Sequence, residues 1–390
     1  MFFGGRMKYT LMHKDTPVAE FDFDEKRSSL KKILGIFSAD HIPPGSLDTK
    51  GNLTKKSFLT WWSERSLPKD KANIDYMLSC LCLKNLSQLK LKGMALSLQD
   101  CYWMKKNDVD LKWKDVNFFD NGFTDDVANV LYGMKIDAYG FDLKSPENTT
   151  AGYTKKYWKY NNGNILLYKS GTPPYRQQPL NDAIFSEICS RLNIDHVEYD
   201  AVMDRDIPLS VCNCFTSKDI EFIPAVQVMR MFSKDKNDSD LQHYVKCCEN
   251  LGVKDTFTFL SGMFVVDRIM NNDDRNYTDF GLLRDSDTRE FIKHAPLFGC
   301  GNSLGYYLPL RDLSSPKTKW NGTPFAKESQ DRLYLLNNMP VFNFDRLESI
   351  EIFASNTYGM SKKTMNLPRI NAVISILKNN IEECKSLQKS

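Results

Sequence analysis

A segment rich in acids and amides, residues 267–281, contains the side chains best suited to chemistry; its sequence is DRIMNNDDRNYTDFG. Carboxylate and amide oxygens can bind a hard cation, and a positioned carboxylate can accept a proton. An EF-hand calcium loop is excluded, because its required glycine and terminal glutamate are absent. A solvated acidic loop without a chemical role is the alternative interpretation.

Two charged residues precede this segment in an informative order. Lys169 ends an apolar run that starts at Ile165, where a lysine without a partner would be costly. Asp182 follows near the start of the next predicted helix. A strand lysine, a helix acid and then an aspartate-rich loop is the order of the protein-kinase machinery. This order favours phosphoryl transfer over the solvated-loop alternative.

The elements that must position these residues begin with a hairpin and a helix. Residues 155–160 and 165–169 flank an Asn-Gly turn, which predicts a β-hairpin. Pro179 and Asn181 are typical of a helix start, and apolar residues then recur every four positions, at Ile184, Ile188 and Leu192. The lysine is thus predicted on a strand and the acid on the helix that follows it.

Further strands and a helical region are predicted downstream. Residues 196–199 and 210–215 have strand character, and helical spacing dominates after about residue 225. The last helix is predicted within residues 366–387, with apolar residues on one face and lysines on the other. The pattern indicates an α+β fold with a small sheet and a larger helical lobe.

Turn-rich stretches suggest three domains. Residues 1–145 contain dense aromatic blocks, which we interpret as packing anchors of an N-terminal accessory domain. Residues 145–152 are polar and turn-rich and mark a boundary. We therefore predict an accessory domain at 1–145, a sheet-containing lobe at 146–225 and a helical lobe at 226–390.

Composition excludes several classes of protein. The 390 residues include 52 Lys and Arg and 49 Asp and Glu, a net charge of 52 − 49 = +3, which argues against broad binding to nucleic acid. No apolar run is long enough to span a membrane, so a cytoplasmic protein without a membrane partner is expected. The ten cysteines lack C-x-x-C spacing and are expected to be reduced thiols.

Several spaced motifs resemble those of HipA-like serine/threonine kinases, particularly a Firmicutes-type branch. That branch has a D-x-x-x-x-N-x-D-R-H-x-x-N-F-G loop followed by P-[IL]-[FY]-D-x-G-x-S-L. The matching residues of this chain are Asp267, Asn272, Asp274, Arg275, Asn276, Asp279, Phe280 and Gly281, and then residues 295–304, APLFGCGNSL. The stretch WWSERSLP, residues 61–68, also resembles that branch, so the resemblance covers most of the chain.

The resemblance implies a two-lobed, protein-kinase-like α+β fold with an N-terminal accessory domain and a mainly helical C-terminal lobe. It implies that Asp274 is the catalytic residue, a carboxylate that accepts the proton of a substrate hydroxyl. Asp279 takes the place of a metal-binding asparagine, and its oxygens can still bind a cation. Asn276 replaces a histidine, and Gly299 replaces the second metal-binding aspartate.

The resemblance also implies ATP and Mg²⁺ or Mn²⁺ as cofactors. A nucleotide-binding role is implied for Lys169, Asp182, Gly152, Lys155, Lys156 and Glu221. Lys169 and Asp182 would form an ion pair, although Asp182 is one methylene shorter than the glutamate usual there, and Glu187 is an alternative partner. Gly152, Lys155 and Lys156 would contact phosphates. Residues 211–222 are expected to link the two lobes, so Glu221 is a candidate for holding the adenine or ribose.

Two functions remain open from the sequence. One is a weak ATP-dependent kinase of a protein substrate, including autophosphorylation; transfer of AMP is a further variant of this activity. The other is a pseudokinase that acts by binding a nucleotide or a partner, because Gly299 lacks a metal-binding side chain. The family also implies a helix-turn-helix antitoxin-type partner in bacteria, while this chain itself has no recognition-helix pattern and no expected direct contact with nucleic acid.

Overall fold

The computed structural model describes all residues except 1–5, 25–28, 66, 68–72, 132, 136–139, 151, 153, 162, 314, 316–320, 330, 336–341 and 390. The chain forms two compact units. Unit 1 comprises residues 1–166, 216–235 and 283–292. Unit 2 comprises residues 167–215, 236–282 and 293–390.

The described residues form eleven strands: β1 (Arg6–His13), β2 (Thr16–Asp24), β3 (Ser29–Ile36), β4 (Tyr102–Lys106), β5 (Lys156–Asn161), β6 (Asn164–Ser170), β7 (Asp200–Asp204), β8 (Ile207–Asn213), β9 (Ile220–Pro224), β10 (Gly281–Asp285) and β11 (Phe291–His294). They also form thirteen α-helices: α1 (Lys55–Glu64), α2 (Ile74–Cys80), α3 (Leu86–Lys92), α4 (Phe118–Asn121), α5 (Asp126–Leu131), α6 (Gln178–Leu192), α7 (Ala225–Arg230), α8 (Asp240–Asn250), α9 (Thr256–Ile269), α10 (Leu310–Leu313), α11 (Asp331–Tyr334), α12 (Ile350–Gly359) and α13 (Leu367–Lys389). The chain combines helices with small sheets in which β1–β2, β1–β4, β2–β3 and β7–β8 pair antiparallel, so the α+β prediction is confirmed.

Unit 1 contains a four-stranded sheet with the order β3-β2-β1-β4, in which β1 pairs antiparallel with both neighbours. On β2, Phe21 and Phe23 are buried, and Asp22 between them is half-buried, as expected for a strand with one covered face. Helix α1 covers this face. The Phe58 ring lies 4.4 Å from that of Phe21, and the Trp62 ring lies 6.0 Å from that of Phe23. The aromatic block of α1 is therefore core, as predicted.

Helix α6 connects the strand bearing Lys169 to the rest of unit 2. A four-stranded sheet has the order β5-β6-β8-β7, and α6 packs against β7 and β8. Pro179 lies in the first turn of α6, where its missing N–H leaves no hydrogen bond unmade. The helix ends at Leu192 and is capped by Asn193, whose left-handed conformation (φ 57°) stops the helical hydrogen-bond pattern.

Helix α9 is the central helix of unit 2. It is apolar on almost all faces, and α6, α8, α11 and α13 pack around it. Its last residue, Ile269, is fully buried. The acid-rich segment that follows therefore starts from a fixed point. Within the part of the chain described, no helix is both long and apolar enough to cross a membrane.

Most of the predicted elements form. The hairpin is β5 and β6, the helix after Pro179 is α6, and the strand expected at 210–215 is β8 with earlier bounds. The strand predicted at 196–199 was wrong. These residues form a single bridge, between His196 and Leu297, because they meet that segment at one position only. The division into three domains stays a prediction beside the two units observed.

A buried carboxylate lies at the polar centre of unit 1. Glu221 is 0% exposed, and its Oε1 accepts hydrogen bonds from His13 Nε2 at 3.0 Å and from the Cys101 N–H at 2.8 Å. Its Oε2 accepts from Arg284 Nε at 2.9 Å and Nη2 at 2.6 Å. Burial alone would raise the pKa of Glu221, but Arg284 and His13 lower it to about 2. The carboxylate is therefore an ionised structural centre.

We predict that Glu221→Gln lowers the free energy of unfolding by about 3–5 kcal/mol at pH 7, because it leaves the Arg284 charge buried without its partner. The low pKa of Glu221 contributes stability that is complete above the unfolded value of 4.5 and is lost as pH falls towards about 2. Urea unfolding between pH 7 and pH 3 measures both effects: the wild-type stability should fall more steeply below pH 4.5 than that of Glu221→Gln.

Glu64→Gln is the matched control in the same unit. Glu64 makes a partly exposed ion pair with Arg230, with side chains 25% and 34% exposed, so the same change should cost less than about 1 kcal/mol. Equal effects of the two substitutions would contradict the structural role of Glu221.

Candidate active site

Lys169 and Asp182 form an ion pair in unit 2. Lys169 lies on β6 and Asp182 in the second turn of α6, with 3.0 Å between Nζ and Oδ2. The Ser210 hydroxyl donates to the same Oδ2 at 2.7 Å, and the Tyr199 ring centroid lies 4.5 Å from the ammonium. The structure thus brings together the strand lysine and the helix acid that the sequence proposed as partners.

This ion pair is mostly shielded from water: the Lys169 side chain is 14% exposed and that of Asp182 is 3% exposed. Burial alone would lower the pKa of Lys169, but the Asp182 carboxylate raises it above the ordinary lysine value, so the ammonium stays charged. Asp182 Oδ1 is buried and has no hydrogen-bond partner among the described residues. Glu187 pairs with Arg191 at 2.7 Å and is not the partner of Lys169.

The acid-rich segment is anchored by Asp267, which is 0% exposed. Arg275 donates to both carboxylate oxygens, from Nε at 3.0 Å and from Nη2 at 2.7 Å, and the Asn272 amide donates at 2.8 Å. Arg332 approaches within 3.4 Å. Burial alone would raise the pKa of Asp267, but the two guanidinium groups lower it below its usual value. The segment therefore closes around a buried charge.

Asp274, the predicted catalytic residue, lies on the exposed side of this segment. Its Oδ2 accepts a hydrogen bond of 2.6 Å from the Asn302 amide. Its neighbour Asp273 is half-buried and bonds to Tyr307; burial and the Asp274 charge raise the pKa of Asp273 to about 6. Asp274 is thus the more accessible of the two acids.

Asp279, the predicted metal ligand, faces Gly299. Asp279 Oδ2 accepts from the Asn276 amide and from the Asn276 backbone N–H at 3.2 Å. A Cβ added at Gly299 would lie 3.8 Å from the Asp279 Cβ and 3.9 Å from Arg275 Nη1. The two segments that the resemblance places on either side of a metal are therefore adjacent.

The carboxylates present fit a metal only in part. Among the residues described, no three His, Cys, Asp or Glu side chains converge as a metal-binding group. Asp279 would supply one carboxylate, and Gly299 supplies none. The residues fit one weakly held cation rather than the two ions that protein kinases bind.

The other predicted nucleotide-binding residues belong to unit 1. Gly152 has φ +95°, a backbone conformation that favours glycine, and Lys156 Nζ would lie 2.7 Å from a Cβ added there. Lys155 lies beside Lys156 in the sequence and also belongs to unit 1. Both oxygens of Glu221 are bonded inside unit 1. These contacts assign Glu221 a structural role and do not support the predicted contact with adenine or ribose.

Sequence reasoning missed three residues that support the site. Arg332 approaches Asp267 from far along the chain, Asn302 bonds to Asp274, and Asn181 bonds to the backbone beside Asn302. Asn181 was noted only as part of a helix start. No local pattern marks these contacts, because each joins residues more than 25 positions apart.

Comparison with solved structures identifies the fold. A HipA chain from the Shewanella oneidensis MR-1 toxin–antitoxin system, solved with HipB and operator DNA, aligns over 97% of this chain and 97% of its own, with TM-score 0.52 and 10% identity. The Helicobacter pylori proinflammatory kinase CtkA aligns over 60% of this chain and 94% of its own, with TM-score 0.41 and 18% identity. No protein-family model and no curated protein matches the sequence. The predicted HipA-like, kinase-like fold is confirmed.

We predict that Lys169→Met lowers the free energy of unfolding by about 3–5 kcal/mol, because it leaves the Asp182 carboxylate buried without its cation. The double variant Lys169→Met/Asp182→Asn removes both charges and should recover most of that loss. Urea denaturation of the wild type, both single variants and the double variant gives the interaction energy directly.

Lys363→Met is the control, because Lys363 pairs with Asp206 on an exposed surface of the same unit. It should change stability by less than about 1 kcal/mol. If Lys169→Met is no more destabilising than Lys363→Met, the buried ion pair does not form in solution.

Proposed function

We propose that this chain is a HipA-like, ATP-dependent protein kinase that phosphorylates a serine or threonine hydroxyl at a weakened metal site. The observation that carries the proposal is the buried Lys169–Asp182 pair, which occurs in a HipA-like fold together with an accessible Asp274. A lysine held charged by an acid in a helix is what a kinase uses to position ATP phosphates.

Each residue has a distinct part in the proposed reaction. Lys169 binds the α- and β-phosphates, and Asp182 holds the ammonium in place. ATP, when bound, supplies the γ-phosphoryl group. Asp274 orients the substrate hydroxyl and accepts its proton as the oxygen bonds to phosphorus and ADP leaves. Asp279 would hold one Mg²⁺ or Mn²⁺ ion.

Gly299 limits the rate in this proposal. Without a metal-binding carboxylate, the activation free energy should rise at least as much as after the loss of one preorganised hydrogen-bond donor. That rise is roughly 2.7–4 kcal/mol, a 10²–10³-fold lower rate. The alternative function is a pseudokinase that binds a nucleotide or a partner without phosphotransfer. The observation that favours it is the lack of any side chain where Gly299 faces Asp279.

A protein partner forms part of the proposal. The similar HipA is found with HipB and operator DNA. We propose that this chain likewise pairs with an antitoxin-type protein, which carries a helix-turn-helix and contacts DNA in its place. The setting proposed for both is the cytoplasm.

We predict that ATP with Mg²⁺ or Mn²⁺ raises the melting temperature of the wild type and does not raise that of Lys169→Met/Asp182→Asn. Phosphotransfer is measured with γ-labelled ATP and mass spectrometry of the modified residue. Asp274→Asn should reduce turnover by roughly 10²–10⁴ while the ATP-induced thermal shift remains, because the base acts in the chemical step.

Asp206→Asn changes an exposed acid outside the site and should leave both measurements unchanged. A wild type without any ATP-induced shift would refute nucleotide binding. A shift that survives in the double variant would move the nucleotide away from Lys169.

We predict that Gly299→Asp tightens metal-dependent ATP binding and raises phosphotransfer, because it restores a carboxylate opposite Asp279. An added Cβ has room, with its nearest neighbour 3.8 Å away, although the φ of +77° imposes a conformational cost of about 1–2 kcal/mol. Both quantities are measured at matched Mg²⁺ concentrations.

Gly299→Asn is the matched control, since it has the same size and backbone cost but no charge. A gain in Gly299→Asp alone supports the kinase proposal. If neither variant nor the wild type transfers phosphate while ATP still binds, the pseudokinase alternative is correct.

A further inference from the structure

Asn181 makes four hydrogen bonds and is 0% exposed. Its amide nitrogen donates to the backbone carbonyls of Gly301 at 2.9 Å and Ser303 at 2.7 Å. Its oxygen accepts from the Tyr358 hydroxyl at 2.7 Å and from the Gln177 amide at 3.2 Å. Every hydrogen-bonding position of this side chain is therefore used, which fixes its orientation.

The two carbonyls that Asn181 binds lie on either side of Asn302. The Asn302 backbone is thus held at both ends. The side-chain amide of Asn302 donates to Asp274 Oδ2 at 2.6 Å. A continuous chain of contacts leads from α6 to the proposed catalytic carboxylate. Asn181 is followed in the sequence by Asp182, the partner of Lys169, so the same helical turn carries both connections.

We call the bonds from Asn181 to the carbonyls of Gly301 and Ser303 the clamp. Gln177 extends it along the same segment, because its side-chain amide donates to the Leu304 carbonyl at 3.2 Å. Gln177 is held in turn by Arg369, which donates to its oxygen from Nη2 at 2.8 Å and to the Gly305 carbonyl at 2.9 Å. Gly301 leaves little space against α6, because a Cβ added there would lie 3.2 Å from Asp182 Oδ1. These hydrogen bonds and the close packing at Gly301 therefore hold backbone residues 301–305 in place beside α6.

We propose that Asn181 is a positioning residue: by fixing the backbone on both sides of Asn302, it makes Asn302 hold the Asp274 carboxylate in the orientation used for phosphotransfer. The proposal rests on the proposed kinase function. The positioning proposal adds that the Lys169–Asp182 ion pair and the catalytic carboxylate are coupled through one turn of α6. It also adds that Asn302 aligns Asp274 rather than merely covering it.

Two measurements test this coupling on the full-length protein. The first is backbone hydrogen exchange by mass spectrometry, which needs no enzymatic activity. Asn181→Ala should speed exchange in residues 301–305, whose amides at Ser303 and Leu304 bond to carbonyls of Gly301 and Met270. Asn302→Ala should leave this exchange unchanged, because its side chain points away from the clamp to Asp274.

The second measurement is phosphotransfer with a split between kcat and the KM for ATP. Asn302→Ala should lower kcat by up to about 10²-fold with unchanged KM, as expected for a misoriented catalytic group. Asn302→Asp keeps the size, removes the donor and should lower kcat at least as much. Asn181→Ala combined with Asn302→Ala should be no slower than the slower single variant, because both act through the same contact.

Asn117→Ala is the control for general loss of stability. Asn117 is also 0% exposed, and its side-chain bonds lie within residues 113–120 of unit 1. It should lower the melting temperature without changing exchange in 301–305 or kcat. A loss of kcat in Asn117→Ala equal to that in Asn181→Ala would overturn the proposal in favour of a purely structural role.

Failure of the proposal and failure of the kinase function give different results. If the wild type transfers phosphate and Asn302→Ala retains full kcat, the positioning role is overturned and the kinase function stands. If the wild type is inert, the kinase function fails, and the clamp is judged by exchange: unchanged exchange in Asn181→Ala overturns it, and faster exchange supports it. Should Asn181→Ala not fold, Asn302→Ala, with a partly exposed side chain, decides the claim by kcat.

Discussion

The carboxylate of Asp267 is an ionised group without any exposed surface, and the arrangement of the proposed active site depends on it. Removing such a charge from water costs several kcal/mol unless its partners are well placed. Arg275 supplies two hydrogen bonds to it and also donates to the carbonyls of Asp279 and Phe298. One guanidinium therefore connects the segment that carries Asp274 to the segment that precedes Gly299.

This arrangement separates two requirements of phosphoryl transfer. Positioning groups are present: a charged lysine held by Asp182 and a carboxylate held by Asn302. In the proposed kinase reaction, neutralisation of the charge that develops on the phosphoryl group would be weak, since Asp279 faces a glycine. Under the proposed function, such a site binds a nucleotide better than it turns the nucleotide over, because binding uses the positioning groups and the rate depends on charge neutralisation.

Unit 1 also contains a buried, ionised carboxylate that is stabilised by charged partners. Glu221 is fully buried and ionised, with Arg284 and His13 as its partners. Its position in a segment predicted to link two lobes suggested contact with a ligand. The contacts show a carboxylate whose two oxygens both accept hydrogen bonds within unit 1, so the buried charge organises the core of this unit. A role of Glu221 towards a nucleotide stays a prediction.

The sequence by itself determined the local structure and the inventory of chemical groups. The Asn-Gly turn and the spacing after Pro179 predicted the hairpin and α6, because hydrophobic periodicity and turn chemistry act within a few residues. The order of motifs also predicted the HipA-like fold. The exception, the strand expected at 196–199, shows the limit of this reasoning: strand propensity does not say whether a neighbouring strand is available to pair with.

Only the tertiary structure decided which groups meet. It selected Asp182 over Glu187 as the partner of Lys169, because the geometry between β6 and α6 outweighs one methylene of reach. It also placed Asn302 on Asp274 and Arg332 beside Asp267. Hydrogen bonds and ion pairs depend on distance in space and not on distance along the chain. Side-chain atoms of residues 28 or more positions apart come within 3 Å of each other only because burial of the apolar faces fixes the helices and strands that carry them.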